Sequence, residues 1–260
     1  GCSQPDSIYV AGSTTVLPVI SRAADKFTAL TGTPIIVNAG GSGVGINQLG
    51  SGKIDIGMIS RDLSSSEVSQ FPQVEFISHS IGKDAVVPAV SSEIYEGGIQ
   101  ALSFKQIRQI YLGEISNWKQ ISGPDKEILV VDKETSRGTR HVFMQAIFGD
   151  KEAIAPGADL VLGANNEEQT AITQSDAAIG MLSHAWLNND VKGLAIILDN
   201  GRLIEPTLQN ISNSSFPITR NLLLVTNGIP SGNNKAFIDF LLSKEGQKIV
   251  NASGYVGMYQ

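Results

Sequence analysis

The sequence has 260 residues, of which 42% are hydrophobic and 17% charged. This balance is typical of folded proteins and excludes a disordered, highly charged tail, and the length allows one large domain or two of ordinary size. Lys and Arg number 19 against 25 Asp and Glu, a net charge of −6, which disfavours binding to duplex nucleic acid but allows one small anion at a locally positive site.

The chain begins Gly1-Cys2-Ser3-Gln4. This start resembles the end of a bacterial lipobox, in which Gly1 closes the signal peptide and Cys2 carries the lipid. The alternative is an ordinary surface cysteine. A lipidated Cys2 would anchor the protein at the outer face of the cytoplasmic membrane or in the periplasm.

Hydrophobic periodicity predicts alternating strands and helices in the first part of the chain. The predicted strands are Ser7–Gly12, Pro34–Val37 and Ile54–Ile59, and the predicted helices are Leu17–Leu30 and Val44–Leu49. The strand at Pro34–Val37 is expected to be buried. This alternation is typical of an α/β fold with a largely parallel sheet.

The pattern restarts near Gly82 and again after Pro217. Two apolar runs, Phe76–Ile81 and Asp84–Val90, are joined by Gly82-Lys83. Further strands are predicted over Ile128–Val131, Ala178–Leu182, Leu194–Leu198 and Asn221–Val225, and helices over Ser103–Leu112, His141–Phe148, Asn166–Gln174 and, as one or two helices, Asn233–Asn251.

Cysteine and histidine are scarce. The one cysteine excludes an internal disulfide, and the three histidines, His79, His141 and His184, are far apart. A dedicated zinc or iron site is therefore not expected. The nucleophile-elbow, P-loop and dinucleotide-binding motifs also fail on spacing, and no run of 18 apolar residues predicts a transmembrane helix.

Four short stretches have the composition of anion-binding turns: Gly12–Thr15, Gly40–Gly43, Ser60–Asp62 and Thr135–Arg140. Each follows a predicted strand, and three lead into a predicted helix. The start of a helix offers unpaired N–H groups and a partial positive charge, and Ser and Thr add hydroxyl donors. A single such turn is more often an ordinary helix cap, but four in one chain favour a shared anionic ligand.

Seven segments in order resemble the PstS-type phosphate-binding proteins of phosphate ABC transporters. They are Ala11–Pro18 (AGSTTVLP), Gly40–Gly43 (GGSG), Asp55–Arg61 (DIGMISR), Gln109–Trp118 (QIYLGEISNW), Lys133–Arg140 (KETSRGTR), Ala177–Ser183 (AAIGMLS) and Pro230–Val250. The resemblance covers nearly the whole chain.

The resemblance implies a type II periplasmic-binding-protein fold, in which two α/β lobes are joined by two crossover strands and the ligand lies in the cleft between them. The first lobe would be residues 6–81 plus 221–260, and the second residues 82–220. The receptor would bind inorganic phosphate without catalysis or cofactor, act as a monomer, and deliver the ligand to ABC permease subunits.

The resemblance also implies the site residues. The candidate phosphate-binding residues are Ser13, Thr14, Thr15, Ser42, Ser60, Arg61, Asp62, Lys133, Ser136, Arg137, Gly138 and Thr139. Lys133 stands where many members have a phosphate-pairing Arg. Trp118 is expected to pack structurally.

Two departures from the family pattern affect selectivity. Many members have an Asp after the strand that ends near Ile59, and it accepts the proton of hydrogen phosphate; here the sequence is Ser60-Arg61-Asp62, so the acceptor is Asp62 or is missing. Arg137 stands where the family loop has Ser, which removes a hydroxyl and offers a guanidinium. Either Arg137 or Arg140 is expected to contact the anion, or Arg140 forms a salt bridge instead.

Three alternative functions remain open. The protein could be a receptor for another tetrahedral oxyanion such as sulfate or molybdate, a phosphate-ester hydrolase, or a surface sensor or adhesin. The scattered histidines argue against the hydrolase.

Overall fold

The computed structural model describes residues 6–258; Cys2 lies outside them. The strands, in chain order, are β1 (Ile8–Gly12), β2 (Ile35–Ala39), β3 (Ile56–Ile59), β4 (Phe76–Ser91), β5 (Ala101–Ser103), β6 (Leu129–Lys133), β7 (Leu160–Leu162), β8 (Ala178–Ser183), β9 (Val191–Gly193), β10 (Ala195–Ile197), β11 (Leu203–Ile204), β12 (Thr219–Asn227) and β13 (Val256–Gly257).

The helices are α1 (Leu17–Thr31), α2 (Ser42–Gly50), α3 (Ser65–Gln70), α4 (Ser92–Glu96), α5 (Phe104–Leu112), α6 (Gly138–Phe148), α7 (Asn165–Gln174), α8 (Leu208–Ser212), α9 (Gly232–Leu242) and α10 (Lys244–Ala252). Short 3-10 helices cover Trp118–Ile121 and His184–Trp186. None of the helices in residues 6–258 combines the length and the apolar character needed to cross a membrane.

The chain divides into two compact units. Unit 1 contains the chain up to Lys83 and again from Arg220, and unit 2 contains Asp84–Thr219. Both boundaries fall inside a strand, β4 at Lys83 and β12 at Arg220. The chain therefore passes from one unit to the other through two continuous strands.

In unit 1, β1 lies between β2 and β3 and is parallel to both, while β12 runs antiparallel to β3. Helix α1 packs its apolar face, which includes Val19, Ala23 and Phe27, into a core with Phe237 and Leu241 of α9. Gly32, at φ 77°, ends α1 in the left-handed conformation. Because β1, β2 and β3 are parallel, their carboxyl ends meet at one edge of the sheet.

In unit 2, β8 pairs with β4 antiparallel and with β6 parallel, and β6 pairs with β7 parallel. A separate small sheet has the order β11-β10-β5. Trp118 is fully buried and its indole nitrogen donates to the carbonyl of Ala177, which confirms that this residue packs structurally. Because β6 and β8 are parallel, their carboxyl ends lie at the same edge of the unit 2 sheet.

Three local predictions were wrong. Gly82-Lys83 does not break the chain into two strands, because both residues pair with β13 and continue β4. Strand β2 is not buried: Ile36 is 41% exposed because β2 is the last strand in its sheet order. The pairing is mixed rather than largely parallel, since β4 and β12 run antiparallel to their neighbours β8 and β3.

Candidate functional site

Unit 1 brings three hydroxyl side chains to the carboxyl edge of its sheet. Ser13 follows β1, Ser42 follows β2 and Ser60 follows β3. The backbone is tightly packed here: a Cβ on Gly12 would clash with the carbonyl oxygen of Met58, and Gly12 has φ 137°. Glycine at position 12 therefore lets the turn after β1 approach β3.

The Ser13 hydroxyl organises the turn before α1. Its side chain is 2% exposed, and Oγ accepts hydrogen bonds from the backbone nitrogens of Thr15 and Val16 at 3.1 and 3.3 Å. Thr14 is exposed on this turn. Ser13 thus fixes the conformation that presents Thr14 and Thr15.

Thr15 is held by two residues that are distant in sequence. The Arg220 guanidinium donates to Thr15 Oγ1 at 3.1 Å, and the Tyr255 hydroxyl donates to the Thr15 carbonyl at 2.9 Å. Both belong to unit 1. Arg220 adds a positive charge to this turn that the sequence patterns did not indicate.

Ser42 links the start of α2 to the end of β3. It is the first residue of the helix, and its Oγ accepts a hydrogen bond from the Ser60 backbone nitrogen at 3.1 Å. The two serine hydroxyls are 3.4 Å apart, and Ser60 is 7% exposed. Since Ser42 Oγ accepts from Ser60, its own proton is available for another acceptor.

Arg61 lies beside the first turn of α2. A Cβ on Gly43 would be 3.9 Å from an Arg61 guanidinium nitrogen. The guanidinium donates to both carboxylate oxygens of Glu67, at 2.8 and 3.0 Å, and this contact lowers the pKa of Glu67 to about 2. Glu67 also accepts from the Ser64 backbone nitrogen in a capping box at the start of α3. Arg61 is therefore oriented by a carboxylate that is itself fixed.

Asp62 is exposed, and its backbone carbonyl accepts from Arg61. Discrimination of hydrogen phosphate from sulfate requires a buried acceptor. The structure does not bury this carboxylate, so the role predicted for Asp62 requires that it become covered when the anion binds.

In unit 2, Lys133 is at the end of β6 and is only 1% exposed. Its ammonium lies 2.9 Å from Glu168 Oε2, and the Glu168 side chain is fully buried. Burial raises the pKa of Glu168 to about 7, while Lys133 opposes that shift. The Lys133 ammonium thus forms a buried ion pair with Glu168, and the contact with the anion that the family resemblance implies for Lys133 stays a prediction.

The loop after β6 leads into α6. Ser136 and Arg137 are exposed, and Arg137 occupies the N-cap position and forms a 3.3 Å ion pair with Glu134. Gly138 is the first residue of α6, and Thr139 is half-buried with Oγ1 3.4 Å from Ser183 Oγ. The backbone of α6 at Gly138 and Thr139 therefore offers N–H donors next to a pair of hydroxyls.

Arg140 is a structural residue. It is 1% exposed, and its guanidinium donates to both oxygens of Asp132 and to the carbonyl of Ala153. Of the two alternatives, a salt bridge is what the structure shows for Arg140, which leaves Arg137 as the exposed guanidinium of this loop.

These residues form two groups. The unit 1 cluster is Ser13, Thr14, Thr15, Ser42, Ser60 and Arg61, with Arg220 added by the structure; the unit 2 cluster is Gly138, Thr139 and Ser183, with Ser136 and Arg137 exposed beside it. Both combine helix starts with hydroxyl donors, which is the chemistry that binds an oxyanion. In residues 6–258 no group of three or more His, Cys, Asp and Glu side chains is placed to hold a metal ion.

Comparison with known proteins agrees with this geometry. The model of the PBP superfamily domain matches residues 3–245. The chain belongs to the PBP superfamily. It is 31% identical over 270 residues to the phosphate-binding protein PstS of Borreliella burgdorferi, covering 99% of this chain and 93% of that protein, and 29% identical over 252 residues to PstS of Bacillus subtilis. Within the superfamily it belongs to the PstS family.

Solved structures extend the comparison. An ABC-type phosphate transport receptor from Vibrio cholerae superposes with a TM-score of 0.81 at 29% identity and covers 96% of this chain and 99% of that one. The structure of PstS from Borrelia burgdorferi gives a TM-score of 0.80 at 28% identity. The family resemblance and the predicted α/β fold of the PBP type are confirmed.

Proposed function

We propose that this PstS-family chain binds inorganic phosphate outside the cytoplasm and delivers it to an ABC-type importer. The observation that carries the proposal is the unit 1 cluster, where the starts of α1 and α2 and the hydroxyls of Ser13, Ser42 and Ser60 share one edge of a sheet. The relatives from Bacillus subtilis and Borreliella burgdorferi are named as phosphate-binding proteins.

The physical basis is desolvation. Removing water from a phosphate dianion is costly unless its oxygens receive donors from the protein. Hydroxyls of Thr14, Thr15, Ser42 and Thr139, helix-start N–H groups and the Arg61 guanidinium supply such donors without a large net charge. Substitutions that remove donors of the unit 1 cluster should therefore weaken the binding of the anion.

The function proposed is binding without catalysis. The relatives are named binding proteins or transport receptors, and delivery to a membrane permease follows from that likeness. A phosphatase assay with and without divalent metal tests this point: turnover of a phosphate ester would contradict it.

Membrane attachment through Cys2 is part of the proposal, as is action as a monomer. Cys2 follows Gly1 at the start of the sequence. Incorporation of labelled fatty acid into the protein in a bacterial host, compared with Cys2→Ser, tests the anchor.

One observation favours a second candidate, a receptor for an unprotonated oxyanion such as sulfate or molybdate. The only carboxylate that the sequence offers as proton acceptor in the Ser60–Asp62 turn is exposed. Isothermal titration calorimetry with phosphate, sulfate and molybdate separates the two candidates: phosphate should bind most tightly, and tighter sulfate binding would reverse the assignment.

A further inference from the structure

Ser183 was not among the residues expected to bind the anion, yet it lies in the unit 2 cluster. It is the last residue of β8 and is 8% exposed. Its Oγ is 3.4 Å from Thr139 Oγ1 at the start of α6. The other hydroxyls of this loop region belong to the exposed Thr135 and Ser136, so Ser183 provides the buried one beside Thr139.

Asn165, the first residue of α7, contacts Ser183 in two ways. Its side-chain nitrogen donates to Ser183 Oγ at 3.4 Å, and its side-chain oxygen accepts from the Ser183 backbone nitrogen at 3.4 Å. The amide can only donate through nitrogen and accept through oxygen, so this pairing fixes its orientation.

The proton of Ser183 is therefore directed away from Asn165. A serine hydroxyl has one proton and two acceptor positions, and the Asn165 amide occupies one acceptor position. The proton remains for Thr139 Oγ1 or for a ligand oxygen near it. Such a preset donor is what a dehydrated anion requires.

A buried charge pair holds α7 in place. Glu168, one turn after Asn165, accepts from the Met181 backbone nitrogen at 2.8 Å and lies 2.9 Å from the Lys133 ammonium. Helix α7 therefore contacts β8 at both Met181 and Ser183. The two contacts restrict the position of Asn165 relative to the Ser183 hydroxyl.

We propose that Ser183 donates a hydrogen bond to the bound phosphate and that Asn165 is a positioning residue that directs the Ser183 proton; this rests on the proposed function. Thr139 and Ser183 then act as a hydroxyl pair at the start of α6. The pair adds a ligand contact at the carboxyl end of β8.

The test is calorimetric titration of inorganic phosphate into the whole chain and its variants, with the melting temperature of each ligand-free protein. Ser183→Ala should lose at least about tenfold in affinity with its fold retained. Asn165→Asp keeps the shape of the side chain but accepts the Ser183 proton and adds a negative charge, so it should lose more affinity than Asn165→Ala.

The melting temperature distinguishes positioning from a structural role. A carboxylate in the first turn of a helix is favourable, so Asn165→Asp should melt no lower than the wild type while it binds more weakly. The matched control is Asn166→Asp, which adds the same charge at the neighbouring exposed position and should bind almost as tightly as the wild type.

The outcomes separate the two levels of the proposal. Wild-type protein that fails to bind phosphate contradicts the proposed function itself. Wild-type binding with unchanged affinity in Ser183→Ala, or equal losses in Asn165→Asp and Asn166→Asp, overturns the inference alone. If Ser183→Ala does not fold, the comparison of the two Asp variants still decides.

Discussion

The backbone nitrogen of Ser60 donates a hydrogen bond to the hydroxyl of Ser42 across 3.1 Å. This bond joins the end of β3 to the first residue of α2, and because Ser42 Oγ accepts in it, the bond does not use the Ser42 proton. The contact thus fixes the geometry of the unit 1 cluster and orients a hydroxyl that can donate a hydrogen bond to the anion.

Ser42→Ala should therefore weaken phosphate binding by about tenfold to a hundredfold, the range expected for losing a hydrogen bond to a charged ligand. Calorimetry measures the change. The matched control is Ser51→Ala at the other end of α2, where the hydroxyl bonds to the Asn47 carbonyl; an equal loss in both variants would contradict a specific role for Ser42.

Arg61 should contribute to phosphate binding through the planar geometry of its guanidinium. Arg61→Lys keeps the charge but cannot reproduce a two-pronged contact, so we expect it to lose at least about tenfold in phosphate affinity. Glu67→Gln should weaken phosphate binding less than Arg61→Lys does, because it keeps the Arg61 guanidinium and only loosens its orientation. The control is Lys26→Ala, which removes an exposed ion pair with Glu245; an Arg61→Lys protein with wild-type affinity would argue against the role.

Much of the fold was accessible from the sequence because it depends on local periodicity. The apolar spacing of α1 gave its start at Leu17, and the turns before α1 and α2 were recognisable because hydroxyl residues follow strand ends. The continuity of β4 was missed because pairing with β13, more than 170 residues later, overrides the local effect of Gly82.

The site was only partly accessible for the same reason. Arg220 and Tyr255 reach Thr15 from positions 205 and 240 residues away, and no local pattern marks such contacts. Lys133 has the residue type of an anion ligand, but no local pattern indicates its buried ion pair with Glu168. Two features of the sequence could have indicated this ion pair: the Lys at the end of β6 and the acidic residues in the first turn of α7.

Removal of Glu168 should destabilise the fold strongly. Glu168→Ala leaves the buried Lys133 ammonium without its partner, and we expect a loss of about 3–5 kcal/mol in the free energy of unfolding. Replacing both residues, as in Lys133→Met with Glu168→Leu, should recover much of this loss. Urea unfolding at pH 8 measures both.

The control pair is Lys235 and Asp239, which are exposed on α9 and whose removal should cost less than about 1 kcal/mol. A double variant at the buried pair that is no more stable than Glu168→Ala would contradict the explanation by an unpaired buried charge.

Stability should depend on pH through Glu168. Its pKa rises from 4.5 to about 7 on folding because of burial, although Lys133 opposes the rise and Asp132 adds to it. The folded state therefore binds the proton more tightly. This contribution is fully present below pH 4.5 and is lost as the pH rises through 7, with a slope of at most about 1.4 kcal/mol per pH unit.

Urea unfolding between pH 4 and pH 8, as the difference between the wild type and Glu168→Gln, isolates this contribution. The subtraction cancels other groups, including His79 and His184, whose pKa values burial lowers. A difference that does not change with pH would show that the pKa of Glu168 is the same in the folded and unfolded states, and would contradict this prediction.

The exposed Asp62 is the residue on which selectivity for phosphate over sulfate is expected to depend. If Asp62 becomes covered and accepts the phosphate proton, Asp62→Asn should weaken phosphate binding more than sulfate binding in a competition titration. Equal effects on both anions would show that another group accepts the proton or that none does.

The most direct measurement is a calorimetric titration of the wild-type protein with inorganic phosphate, repeated in excess sulfate. We expect saturable binding of one phosphate per chain with a Kd at or below about 1 μM, little changed by sulfate. No saturable heat, or displacement of phosphate by sulfate at comparable concentration, would contradict it.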